Sequence, residues 1–319
     1  MFMQYFSGMA TVFMLHSIHP VDSNKISLNE KLNISPDFLE AFIVSAKAKG
    51  YSFISLDTLH DALVNNKKMA KSMVLTLDDG YADNYTNAYP IFKKHNIPFT
   101  IYITTSFPNH TAILWWYILE DLVIANNSIT LSDGTTYSCE TPEDKKTTFS
   151  AIRQKIIHLP KENFIDSLNA LFEPRVIDWY SKVAELAMTW EQIKELSLSP
   201  LATIGAHTVN HYALATLSKD EVINEVMGSK QIIEVRIDNS VEHFCYPFGG
   251  PKEVTEKEFA IVDELGFKTT TTTRNGSIFA EHKHHLSALP RVMLTSEFSL
   301  LRFELSTIKR FVKGRIVVA

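Results

Sequence analysis

The sequence predicts an α/β protein built on a parallel barrel or a wound sheet. Eight short β-rich runs alternate with helical patterns, which is the signature of repeated strand–helix units. A chain of 319 residues with 45% hydrophobic content is also long and apolar enough to fill one large α/β core.

The N-terminal MFMQYFSGMATVFMLHSIHP is apolar but has no basic leading region, and His16 and His19 interrupt it short of a spanning length. Its ATVFML (10–15) therefore reads as a first buried strand, and the protein as cytoplasmic. Ser35-Pro36 opens a helix over DFLEAFIVSAKAKG, with Gly50 as its C-terminal stop before SFISL (52–56). MVLTL (73–77) and FTIYIT (99–104) are the next strands. Between Phe107 and about Met188 the alternation lapses into helical stretches around a hairpin, SITLSDGTTYS, turned at Asp133-Gly134. This segment, about 107–188, reads as an insertion on the rim of a single domain covering 1–319. ATIGA (202–206), a helix begun by Ser218 with Glu221 at capping-box spacing, EHFCY (242–246), FKTTTT (267–272) after Gly266, and LPRVML (289–294) complete the pattern.

The charge balance excludes several classes. Thirty-one basic and 36 acidic residues give −5 with no long single-sign block, which argues against a nucleic-acid groove. Cys139 and Cys245 lie far apart in unlike contexts, so neither a disulfide framework nor a cysteine zinc site is indicated.

Chemistry concentrates at two strand ends. In a parallel barrel the loops after the strand C-termini converge on one face. Asp78 and Asp79 follow MVLTL there, and His207 and His211 follow ATIGA. Two neutral imidazoles with one carboxylate make a mixed N/O site suited to zinc or a similar divalent ion. A cation beside Asp79 offsets the repulsion between adjacent carboxylates and leaves Asp78 free as a base.

These residues resemble a known family. TLDDGYADNY is similar to the TFDDG motif of polysaccharide deacetylases (carbohydrate esterase family four, the NodB-homology domain), HTVNH to its His-(Ser/Thr)-x-x-His motif, and YPFGG (246–250) to its third motif. MLHSIHP, MTWEQIKEL and LPRVML add further matches in order from about residue 10 to 295. The resemblance implies a distorted (β/α) barrel, with Asp78 as general base and Asp79, His207 and His211 as ligands of a divalent ion, Zn2+ first and Co2+, Ni2+ or Mn2+ as alternatives. It also implies that Tyr246, Pro247 and Phe248 touch substrate, the Phe248 N–H helping to hold an oxyanion.

Two departures from the family pattern shape the expectations. VEHFC lacks the Arg that usually precedes the third motif, and Arg291 of LPRVML is the candidate replacement, because a guanidinium suits bidentate carboxylate contact. The late histidine that protonates the leaving amine has two candidates in EHKHHLSALPR, His282 and His285, with His284 a bystander. His16 ends the first strand and is expected to contact substrate or support the site, while His243 reads as structural. LWWYILEDL offers Trp115 and Trp116 either as an aromatic wall for a sugar or as core.

The expected function is metal-dependent removal of N-acetyl groups from amino sugars of a surface polysaccharide, oligosaccharide or glycolipid precursor. The alternatives are hydrolysis of an O-acetyl or N-formyl group, or an inactive metal-holding carbohydrate-binding protein. The expected partner is an N-acetylated glycan, with no nucleic acid and no stable membrane insertion. The basic C-terminal Lys309, Arg310, Lys313 and Arg315 read either as a solvated face or as a peripheral contact at the inner face of a membrane.

Overall fold

The computed structural model describes residues 8–305 apart from Val21 and Ser23, so the basic C-terminal cluster lies outside the described residues. Seven parallel strands form a closed ring: β1 (Ala10–Leu15), β2 (Ser72–Leu77), β3 (Phe99–Ile103), β4 (Ala202–Ala206), β5 (His243–Cys245), β6 (Thr269–Asn275) and β7 (Leu289–Met293). Each pairs with the next, and β7 closes on β1 through Phe13↔Val292 and Met14↔Met293.

The expected eighth strand is reduced to Ser52–Phe53, which pairs only with Ser72 and Met73 at the start of β2 and stays outside the ring. The local cause is a cap. The Ser55 side chain accepts from the Thr58 N–H and starts a helix at Leu56, so SFISL cannot continue as a strand. The other predicted helix starts appear as capped ends: Ser35 accepts from Phe38 N–H, and Ser218 and Glu221 form a capping box.

Two-residue alternation divides the strands between two cores. Phe13, Leu75, Phe99, Ile101 and Phe244 face outward against the helices, whereas Val12, Val74, Tyr102, Cys245 and Leu289 fill the barrel. The insertion builds its own apolar cluster from the helices Trp115–Ala125, Pro142–Ile157 and Phe164–Phe172 and the hairpin Ser128–Thr130/Thr136–Ser138.

One glycine is demanded by the barrel filling. A Cβ at Gly205 would lie 2.5 Å from Tyr102 Cδ1 and 3.0 Å from the His243 carbonyl oxygen, and Tyr102 is fully buried. Gly205→Ala is expected to destabilise the protein by about 1–3 kcal/mol through overpacking, read as a lower denaturation midpoint with unchanged slope.

Candidate active site

The inward phase of the strands brings the site together. Val74 and Thr76 point into the barrel, and Asp78 continues that phase past the end of β2. Strict alternation would send Asp79 outward. Instead Asp79 has a φ of 76°, and the Gly80 N–H donates to Asp78 O at 3.0 Å, closing a tight γ-type turn that keeps both carboxylates on the cavity. The same device recurs at Phe248, with φ 59° and the Gly249 N–H donating to Pro247 O at 2.6 Å. Thr208 and His211 also have positive φ. Backbone strain of this kind gathers at functional sites.

His207 and His211 sit on a loop rather than a helical turn. The loop is held by a residue that no motif signalled, Glu225 of the helix Lys219–Ile237. Its buried carboxylate accepts from the N–H groups of Val209 (3.0 Å) and Asn210 (2.8 Å) and from Asn210 Nδ2 (2.6 Å). His207 Nδ1–H donates to Cys245 O at 2.7 Å, which leaves the Nε2 lone pair free.

Three ligand atoms converge. Asp79 Oδ1 lies 3.3 Å from His207 Nε2 and 3.2 Å from His211 Nε2, yet it is buried with no hydrogen-bond partner. A four-coordinate cation with bonds of about 2.0–2.1 Å places its ligand atoms roughly 3.3–3.4 Å apart, so the donor set and spacing fit a divalent ion. Asp78, His207 and Cys245 form a second possible group. It is the poorer one, because both Asp78 oxygens are already engaged by arginine and Cys245 Sγ lies 3.0 Å from Arg291 Nη2.

Arg291 reaches Asp78 from β7, the next strand but one in the ring, across β1. Nη1 and Nη2 donate to the two carboxylate oxygens at 2.7 Å each, Nη1 also to Thr76 Oγ1, and Nε to Thr272 O. Burial raises the Asp78 pKa, but the charge and hydrogen bonds of Arg291 outweigh it and hold the carboxyl below its ordinary range. Burial works against Asp79 in the same way, and His211 and His207 overcome it. His16 follows β1 with Nε2 3.9 Å from Asp78 Oδ2, and burial lowers its pKa, so the ring is neutral near pH 7.

A cavity of about 190 Å³ opens over this cluster, with His16, Trp116, Arg153 and Phe248 on its walls. The two tryptophans divide the alternatives. Trp115 is 5% exposed and packs in the insertion core, with the rest of its surface on the cavity lining. Trp116 stands against His211, ring centroids 5.4 Å apart, and donates from Nε1 to Tyr81 Oη.

Four expected contacts need correction. Tyr246 and Pro247 are buried and do not line the cavity, since strand alternation turns Tyr246 outward onto Phe244 and Phe259 and its hydroxyl donates to Ser287 O. His282 and His285 lie at the other end of the barrel. The segment before them bridges at Ile278 to Ala10, where β1 begins, and Lys283 donates to Asn66 in the loop leading to β2. The buried His282 ring is spent on the Phe279 N–H. His243 is buried beneath the site, with Nδ1 on Thr269 Oγ1.

Comparison with known proteins gives the family and the fold. Residues 65–270 match the polysaccharide deacetylase family model. A Bacillus subtilis (strain 168) protein, YxkH, itself only provisionally designated a polysaccharide deacetylase, is 32% identical over 277 residues, covering 86% of this chain and 71% of its own. The Streptococcus pyogenes deacetylase PplD, solved with acetate, superposes with a TM-score of 0.62 at 21% identity over 93% of this chain and 97% of that one. IcaB from Ammonifex degensii gives 0.59 at 16% identity, covering 94% and 96%. Those structures share the fold, a seven-stranded parallel barrel, and the match to the family model places the chain in the polysaccharide deacetylase family.

Proposed function

We propose that the protein is a metal-dependent hydrolase that removes N-acetyl groups from amino sugars of a glycan. The observation that supports this most directly is the convergence of Asp79, His207 and His211 beside an Asp78 that is ionised, gripped by Arg291 and not needed as a ligand. Asp79, His207 and His211 would hold the ion, zinc being the first choice for two imidazoles and a carboxylate. Bound there, a divalent ion supplies Lewis acidity that polarises a carbonyl and lowers the pKa of water to about 7.

The chain's own residues do the rest. Asp78 takes a proton from the attacking water, and Arg291 fixes the direction of its lone pairs. The Phe248 N–H, which has no acceptor among the described residues, is available to the oxyanion that forms as the amide carbonyl is attacked. His16 takes over the role expected of His282 or His285: it faces Asp78 across the cavity and passes the proton on to the departing amine. Trp116 and Phe248 provide apolar faces for the sugar ring.

The test is acetate release from a short N-acetylated glucosamine oligomer. Activity is expected to fall to background after chelation and return on adding Zn2+ or Co2+. Release from O-acetyl esters alone would overturn the amide reading, and turnover insensitive to chelation would overturn the metal reading.

A further inference from the structure

The cavity holds a cation that the proposed chemistry does not use. Arg153 projects from the insertion helix Pro142–Ile157 onto the cavity wall, half-buried, with its guanidinium carbon 5.7 Å from the centre of the Phe248 ring. Among the described residues it has no hydrogen bond and no carboxylate within 4 Å, and Glu253 acts on it only through space. The lysines of the adjoining cavity differ in this respect: Lys25 is paired with Asp121 and Glu120, and Lys182 with Asp121.

Electrostatics then favours an anion. With a divalent ion in place, the carboxylates Asp78 and Asp79 on the cavity, and Glu253 acting on Arg153 from outside it, face that ion and two guanidinium groups, Arg153 and Arg291, leaving one positive charge in excess. A neutral acetamido sugar leaves the excess uncompensated in a partly desolvated space, where charge interactions are stronger than in water. Arginine presents a planar fork that matches carboxylate and phosphate oxygens, and stacking on Phe248 limits the orientations it must give up to bind them.

We propose that Arg153 is a specificity residue that selects an acetamido sugar bearing an anionic group, a carboxylate or a phosphate, on the same or the neighbouring unit. This rests on the deacetylase reading of the cavity, and the experiment is a binding measurement, so the two can fail separately. Calorimetry on the zinc-loaded protein compares N-acetylglucosamine with its lactyl acid, N-acetylmuramic acid, and with N-acetylglucosamine 6-phosphate. At least one anionic sugar is expected to bind about 10- to 100-fold more tightly than the neutral one, and which of them does so separates carboxylate from phosphate.

In Arg153→Gln the ratio should fall towards one. In Arg153→Lys it should fall less, since the charge remains. Thermal melting of each variant checks the fold. No preference in the wild type, failure of both anionic sugars to bind, or a preference that survives in Arg153→Gln, as direct coordination to the zinc would give, overturns the proposal. A preference that depends on Arg153, in a protein that releases no acetate from these sugars or from the N-acetylated glucosamine oligomer, would leave it standing and refute the deacetylase reading instead.

Discussion

Asp78→Asn is expected to lower deacetylation by about 10²–10⁴-fold, the usual contribution of a positioned general base. Asparagine keeps the shape and one acceptor oxygen but has no lone pair basic enough to take the proton. The candidate ligands Asp79, His207 and His211 are separate side chains, and Asp78 is tied to Arg291. Zinc stoichiometry measured on the variant should therefore stay at the wild-type value while the rate falls. Full activity in the variant would remove the proposed base, and loss of zinc along with activity would mean that Asp78 belongs to the metal site after all.

The barrel was legible because its strands are buried runs bounded by capping and turn residues, and seven of the eight expected strands close the ring. The eighth stays outside the ring for a local reason, the competing cap at Ser55. Pairings such as Arg291 with Asp78 were partly legible, since a guanidinium missing from one motif had few places from which to be replaced. Other features depend on three-dimensional phase. YPFGG does not reveal that Tyr246 turns towards the helices while Phe248, in a left-handed turn, faces the cavity. Nor does EHKHH reveal that the irregular β6–β7 connection returns to the base of the barrel before the histidines occur. Arg153 and Glu225 carry no motif, and only the packing of their helices against the site gives them meaning.

Arg291→Ala should have the largest effect on stability. The guanidinium is fully buried and compensates a carboxylate that is itself buried, so its removal strands a charge, at a cost of about 3–5 kcal/mol. The cost depends on pH in a direction set by the Asp78 shift. In the wild type the folded pKa of Asp78 is depressed, so the pair's stabilisation is present above the unfolded carboxylate pKa of about 3.9 and is lost as pH falls through the lower folded value. In the variant burial, which raises the Asp78 pKa, is opposed only by the smaller influences of His207 and His16, so the carboxyl keeps its proton to higher pH than in the wild type and is less costly to bury in acid. The stability gap between the two proteins should then be widest near neutral pH and narrow below about pH 4, as urea titrations at several pH values would show. A gap independent of pH would mean that lost packing, rather than an uncompensated Asp78, accounts for the damage. Arg291→Lys separates the two further: it restores a charge without the planar fork, so it should recover part of the stability but less of the rate, because the orientation of the base is lost with the second hydrogen bond.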